Sequence, residues 1–595
     1  TIDKINLSAI IAIPADQQSV SVEFNTFKDP WFEEDEVIDI KGAITFSGTT
    51  AAVADINAVT IIEATRLSKV ADSPFVGIED GKVSWGDFDQ DGDMDLALMG
   101  KSSEGTVTNV YRNNSGVFDN TNFNFTKFIA GDIEFVDVDQ DGYLDLAVSG
   151  NTETGRKAEL YMNIDGEDWE LNSDYNVEGL SQSDMEWADL DNDGDTDLIM
   201  SGIDVEDQFR NYYYTNLGNF DFRREYLFFG QGFIKGEIDI VDEDQDGDND
   251  LFVAGTGGDL GNQYNYRRAF DNSYYNVNFN YDYDQQYNSN VRAGFVDGNT
   301  EYLDIDGDGS LDYLTIGFED DANFRVQSNL TALANLPILK NPDFDFADYN
   351  NDGQSDLIYS GEDPDTGSAV TKLYTSFPDY FGNTYGLVES NITLQGLRES
   401  SVDWIDYDKD GDLDLFMTGL DELGVAQSIL YKAENQFNYN EAPAKITGLK
   451  YTDEGDGLIL FEWDKPNDNI STNFRYDIKI GTTTGGDDVI YSNSNSTTGA
   501  TRINVGSLST LNNRKMILNP GTYYVSVQAI DGGNKGGLFS DELSFTIDYE
   551  WKRLNLGGII DRRLRPEEST QLDFMDMDGD GDKDLISTKV GSSGY

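Results

Sequence analysis

Eight short stretches of this 595-residue chain set acidic side chains at positions 1, 3, 5 and 9 of a nine-residue run, with one asparagine among them, and glycine at position 6. The first, within "WGDFDQDGDMDL", offers Asp87, Asp89, Asp91 and Asp95, with Asp93 at position 7. The next three offer Asp137, Asp139, Asp141 and Asp145 around Tyr143, then Asp189, Asp191, Asp193 and Asp197 around Asp195, then Asp242, Asp244, Asp246 and Asp250 around Asp248. Asp304, Asp306, Asp308 and Asp312 follow with Ser310, and Asp348, Asn350, Asp352 and Asp356 with Gln354, where position 3 is an amide. Asp406, Asp408, Asp410 and Asp414 with Asp412, and Asp576, Asp578, Asp580 and Asp584 with Asp582, complete the set.

Carboxylates so closely spaced repel one another unless a cation sits among them. Side chains at 1, 3, 5 and 9 converge on one centre, glycine at 6 allows the sharp turn, and position 7 adds a carbonyl, which is the oxygen cage of a Ca²⁺ ion. Position 7 varies freely among the eight, as a residue offering only its backbone can. About one Ca²⁺ per loop is expected, weakest where Asn350 removes a charge. An EF-hand shares the first nine positions but needs glutamate at position 12, and here that position holds residues such as Leu98, Val148 and Met200.

Composition narrows the chemistry further. The chain has no His and no Cys, which removes imidazole bases, thiolate ligands and disulfides and leaves a hard, oxygen-bound metal. Lys plus Arg number 40 against 112 Asp plus Glu, a formal charge of -72, so nucleic acid and anionic membranes are poor partners. A content of 38% hydrophobic and 12% aromatic residues still suffices for packed cores. The longest apolar stretch, Leu7 to Ala15, is too short to span a bilayer, and the chain reads as a mature or trimmed piece of a longer protein, soluble as it stands.

The elements that must hold these loops are legible from the spacing. First aspartates at 87, 137, 189, 242, 304, 348 and 406 are 44 to 62 residues apart, followed by one long step to 576. Each loop has a short apolar run before it, a second such as "DLALMG" after it, and further runs such as "NVYRN" and "ELYMN". Short runs bounded by Gly, Asn and Asp are strands, and about four per unit make a propeller blade.

These units resemble the FG-GAP/VCBS repeats of integrin-type β-propellers, a likeness covering Lys82 to about Asn440 and resuming near Trp551. The resemblance implies a calcium-bound, extracellular propeller without fixing an activity. Between the repeats, "GLILFEWDKP", "FRYDIKIGTT" and "LNPGTYYVSVQAID" alternate with period two, as in a β-sandwich. Trp463, Tyr476 and "LNPGTYY" resemble a fibronectin type III domain, which puts Tyr524 at the corner tyrosine. The expected fold is therefore all-β: residues 1–75 an N-terminal β segment or degenerate blade; 76–440 a propeller of seven blades, eight if that segment counts; 441–548 the sandwich; 549–595 the start of a further propeller repeat.

Between Asn262 and Asn290 lies a tyrosine-rich stretch whose Tyr264, Tyr266, Tyr274, Tyr275, Tyr281, Tyr283 and Tyr287 could stack on sugars or simply cover the outer strands of a blade. No acidic pair stands apart from the loops and no nucleophile motif appears, so no catalytic or cofactor-binding residue is assigned. The expected function is surface binding or adhesion toward a glycan or protein ligand, ahead of a passive scaffold or stalk, with a polysaccharide lyase or hydrolase third. The pairing of repeats with a fibronectin-like module resembles large cell-surface proteins of Bacteroidetes, many exported by the type IX system and some used in gliding, an extracellular setting.

Overall fold

The structure is a computed structural model. It describes residues 65–435 except 72, 191–194, 219, 226–231, 242–249, 260–261, 273–278, 282–295, 306–311, 321–322, 329, 331–332, 334–335 and 379–384. It further describes 440–547 except 456, 472–473 and 504–511, and the short strands near each end. The chain divides into two units, Thr1–Ile62 and Glu63–Tyr595. In the first, Val37–Ile38 pairs with Val59–Thr60 and Ala43–Phe46 with Thr49–Ala52. The described residues are all-β, with no α-helix and therefore none long and apolar enough to cross a membrane.

Seven antiparallel sheets follow one another among the described residues of the second unit. Their first strands are Glu79–Gly86, Ile129–Val136, Ser181–Ala188, Phe233–Val241, Val296–Leu303, Lys340–Ala347 and Arg398–Ile405. Each first strand lies beside the next, and the seventh lies beside the first, so the sheets close a ring. The fifth sheet shows three strands and the others four.

The apolar runs explain why the sheets stack face to face. In Asp95–Ser102, side chains alternate between faces: Leu96 and Leu98 pack toward the seventh sheet with Ile405, Tyr407 and Phe416. Ala97 and Met99 pack toward the second with Ile133, Phe135 and Leu146. A strand buried on both faces needs a continuous apolar run, hence "DLALMG". Core therefore lies between successive sheets rather than at one centre.

The last sheet is completed from the other end of the ring. Thr65–Lys69 pairs antiparallel with Ala426–Asn435, and Leu67 packs against the core of Ile429 and Tyr431. These five residues were expected within the N-terminal segment; they are the outer strand of the seventh sheet. Asn262–Asn272 and Phe279–Tyr281, which carry Tyr264, Tyr266 and Tyr281 of the tyrosine-rich stretch, are the outer two strands of the fourth sheet. Tyr274, Tyr275, Tyr283 and Tyr287 lie outside the described residues.

Beyond the ring, Lys450–Gly455, Leu458–Glu462 and Asn513–Ile517 form one three-stranded sheet, and Phe474–Gly481, Gly521–Asp531 and Leu543–Ile547 another. They enclose a core with Trp463 and Tyr476 in edge contact at 5.3 Å, so Trp463 is a core residue of a β-sandwich. The buried tyrosine whose hydroxyl turns back to the chain is Tyr523, donating to Asn519 O at 2.7 Å, and not Tyr524. Alternation decides between the two neighbours: Tyr523 faces the core and Tyr524 faces outward. A final hairpin pairs Thr570–Met575 with Asp584–Lys589.

Candidate metal centres

All eight acidic loops are hairpin connections with one register. The residue before position 1 pairs with the aspartate at position 9, from Gly86↔Asp95 and Val136↔Asp145 through Ile405↔Asp414 to Met575↔Asp584. In the loops described in full, this pairing carries position 1 to the side of position 9 and folds the eight residues between them into a tight coil.

Four loops are described in full: those starting at Asp87, Asp137, Asp348 and Asp406. Their backbone is shaped by left-handed residues at positions 4 and 6, with Gln90 at φ 62° and Gly92 at 85°, and Lys409 at 58° and Gly411 at 89°. The side chains then brace the coil. Position 1 accepts from the position-6 amide, as Gly92 N to Asp87 Oδ2 at 3.0 Å and Gly142 N to Asp137 Oδ2 at 2.9 Å. Position 5 accepts from position 7, as Asp93 N to Asp91 Oδ1 and Tyr143 N to Asp141 Oδ1, both at 2.8 Å. The backbone at position 7 is thus held whatever side chain stands there, and where that side chain is Asp93 it accepts a further bond from Ser115 N at 2.8 Å.

Position 9 clamps the base. Asp95 accepts from Phe88 N at 3.0 Å and from Asn113 N of the third strand at 2.7 Å; Asp145, Asp197 and Asp414 repeat both bonds. In the fifth loop, Asp312 accepts from Ile305 N at 3.0 Å, beside buried Asp304.

Among the described residues, three loops gather carboxylate oxygens within 4.8 Å of one another: Asp87, Asp89 and Asp95; Asp137, Asp139 and Asp141; Asp406, Asp408 and Asp414. These groups could hold a metal ion. In each, one oxygen of the first aspartate, Oδ1 of Asp87, Asp137 or Asp406, is buried and has no hydrogen-bond partner. A buried carboxylate oxygen left without a donor is costly, and a cation at the centre would satisfy it. The residues present therefore fit a hard dication.

Burial dominates the electrostatics. It raises Asp87 to about 7 and Asp406 to about 7, with neighbouring loop carboxylates adding to the rise. Asp145 is raised to about 8 and Asp414 to about 9 for the same first cause, partly offset by their backbone donors. Basic groups offset some of this charge: Arg112 Nε lies 2.9 Å from Asp89, Lys409 Nζ 2.8 Å from Asp93, and Lys432 Nζ contacts Asp408 and lies 2.9 Å from Asp410. The sixth loop differs. Asn350 donates to Asp356 Oδ2 at 2.6 Å, so the amide bridges toward position 9 where a carboxylate would share a cation.

Asp191, Asp193, Asp242, Asp244, Asp246, Asp248, Asp306, Asp308, Ser310, Asp576, Asp578, Asp580 and Asp582 lie outside the described residues. Of the third loop, Asp189, Asp195 and Asp197 are described; Asp250 and Asp584 are placed as strand ends.

A second set of acidic side chains escaped the sequence reading. Five and three positions before each loop, the first strands carry Asp132 and Glu134, Asp184 and Glu186, Asp343 and Asp345, with Asp403, Asp239 and Glu301 at matching places. Lys82 of the first sheet bears electrostatically on Asp132, Glu134, Asp184, Asp343 and Asp403 alike, so these five, from four different sheets, lie toward one another in the middle of the ring. The signal available in the sequence was their constant offset from the loops.

Comparison with known proteins adds two results. Residues 79–148, which hold the first two loops, match the FG-GAP-like repeat family. Among solved structures, a fructofuranosidase from Schwanniomyces occidentalis, complexed with fructose, aligns over 81% of this chain and 93% of its own at 10% identity, with a TM-score of 0.24. A score that low carries no argument. No curated protein matches the chain.

Proposed function

We propose that this chain is an extracellular β-propeller of seven blades, stabilised by calcium and joined to a fibronectin type III-like sandwich, which binds a glycan or protein ligand at a cell surface. The observation that carries the calcium reading is the buried, unpartnered Oδ1 of the first aspartate in three separate cages. In each full cage three or four carboxylates and a carbonyl would hold one Ca²⁺, whose chemistry is charge neutralisation and cross-linking of the hairpin. Asp87, Asp89, Asp91 and Asp95 would do so at the first loop.

Binding ranks above catalysis because the loop carboxylates already have structural work: they brace coils and clamp strands. The Bacteroidetes-like domain pairing favours a surface setting, and a passive scaffold is the second reading. Glycan and protein arrays probed in calcium, beside a polysaccharide-degradation screen, test the assignment. Saturable, calcium-dependent capture without turnover is the expected result; polysaccharide cleavage would replace it with the enzyme reading, and silence in both with the scaffold.

A further inference from the structure

We propose that the sandwich is a calcium-dependent cap on the ring: it is seated on the metal hairpins themselves, so filling the cages and docking the sandwich form one linked equilibrium. This rests on the reading that the cages take calcium.

The seat uses the parts of the loops whose position the cage fixes. The backbone N–H of Asp87, position 1 of the first loop, donates to Arg502 O at 2.7 Å, and that of Asp348, position 1 of the sixth, donates to Gly532 O at 3.3 Å. Arg502 also donates through Nη1 to Gly142 O, position 6 of the second loop, and through Nη2 to Ser492 O at 3.1 Å. A methyl added to Gly142 would lie 3.6 Å from both Arg502 Nη1 and Tyr491 Oη, so the sandwich lies directly against that turn. At the sixth loop the fit is closer: a Cβ on Gly353 would lie 2.6 Å from Ile470 O.

Apolar packing anchors the same contact. Ile503 bridges Gly86 in antiparallel fashion and packs on the core that contains Phe88 and Leu144. Arg502 is only 7% exposed and stands 4.8 Å over the Tyr491 ring. A buried guanidinium that donates to a metal-loop carbonyl holds its place only while the loop keeps its coil.

The coupling follows from charge. Without a cation, the carboxylates of a cage repel and the coil loosens, which moves the position-1 amides and the position-6 carbonyl that the sandwich grips. With a cation the coil is fixed and the seat is ready-made. Linkage makes the effect reciprocal: whatever docking gains from calcium, calcium gains from docking.

The chain lacks cysteine, so engineered pairs label cleanly. Glu153→Cys on the second sheet and Thr452→Cys on the sandwich, both exposed, report docking by electron–electron distance measurement; Glu153→Cys with Glu206→Cys reports the ring. Native mass spectrometry counts calcium in the same samples. The expected result is a narrow docking distance in calcium that broadens on chelation and recovers on calcium return, while the ring distance stays narrow. Ile503→Asp should broaden the docking distance even in calcium and weaken binding of the ions at the first, second and sixth loops about tenfold, within the usual range of site–site coupling.

A docking distance unchanged after the ions are stripped would overturn the linkage and leave the calcium reading standing. Broadening of both distances together would overturn it as well, because chelation would then unfold the ring. No calcium in any sample would overturn the calcium reading and this proposal with it.

Discussion

Asp132 of the second sheet accepts a 2.8 Å hydrogen bond from the backbone N–H of Met185 in the third. The contact recurs around the ring: Asp184 accepts from Ile238 N at 2.6 Å, Asp343 from Val402 N at 2.8 Å and Asp345 from Trp404 N at 2.9 Å. Ser84 does the same with its hydroxyl toward Phe135 N at 3.0 Å. Carboxylates at the centre thus latch the second sheet to the third, the third to the fourth and the sixth to the seventh, and their closeness has a pH signature.

Burial raises Asp184 to about 7, with Asp132 adding to the rise and Lys82 opposing it. It raises Asp345 to about 7 as well, with Asp343 adding and the Trp404 amide opposing. A carboxyl raised in the folded state from about 3.9 in the unfolded chain contributes stability that is full below about pH 4 and lost as pH climbs through 7. In Asp184→Asn and Asp345→Asn the amide oxygen keeps the latch and the titration disappears. Each variant should be more stable than the parent at pH 8, by on the order of 1–3 kcal/mol, and lose that advantage toward pH 4. Denaturant melts across that range at fixed calcium check this; parallel curves for parent and variant would refute it.

Chelation acts on the loops in the opposite place. Stripping calcium returns unsatisfied oxygens at Asp87, Asp137 and Asp406 to a buried setting. Ligand that binds only the folded state stabilises it by about 2.7 kcal/mol per site at a hundredfold excess over Kd, so several sites should shift the melting temperature by many degrees. Calorimetry with calcium and with chelator should give well-separated transitions, and calcium return should restore the upper one.

What was legible in the sequence is what repeats at fixed spacing. Aspartates at 1, 3, 5 and 9 and glycine at 6 marked the hairpins because a cage tolerates little variation there. Apolar runs marked the strands because Leu96 to Met99 must satisfy two faces. Thr65–Lys69 was not legible as a closing strand, since its partner Ala426–Asn435 lies some 360 residues away and leaves no local pattern. The seat of Arg502 on Gly142 was hidden for the same reason. Tyr523 and Tyr524 were confused because adjacent residues of one strand differ only in the face they take.

Asn350 offers a gain rather than a loss. Its amide donates to Asp356, so the sixth loop spends a hydrogen bond where its relatives present charge. Asn350→Asp restores the full set of carboxylates. Native mass spectrometry under titrated calcium should show the last ion to bind in the parent joining the others in the variant, with about tenfold tighter binding from the added charge. An unchanged titration would mean that position 3 contributes no ligand.

Removing Thr65–Lys69 while keeping the rest of the chain tests ring closure. Ala426–Asn435 would become an open edge, and Leu67 would leave the core shared with Ile429 and Tyr431. Leu67 is only partly buried, so its own loss costs less than the about 2–5 kcal/mol of a fully buried leucine, and the lost strand pairing adds to it. The expected outcome is a lower melting temperature and self-association through the exposed edge, seen by light scattering. An equally stable monomer would show that the seventh sheet does not need its outer strand.

The sandwich provides a control built from two neighbouring residues. Tyr523 is buried, lies 5.7 Å from Phe545 and donates its hydroxyl to Asn519 O at 2.7 Å, closing the turn that enters Gly521–Asp531. Tyr523→Phe keeps the ring and leaves that carbonyl short of a donor, which should cost about 1–2 kcal/mol. Tyr524→Phe, on the outward face, should stay within about 0.5 kcal/mol of the parent. Denaturant titrations of the full chain in calcium, followed by hydrogen exchange in Gly521–Asp531, separate the two. Equal losses would mean that the hydroxyl of Tyr523 holds nothing the sandwich needs, and a larger loss at Tyr524 would return the corner to the residue that the sequence alone had favoured.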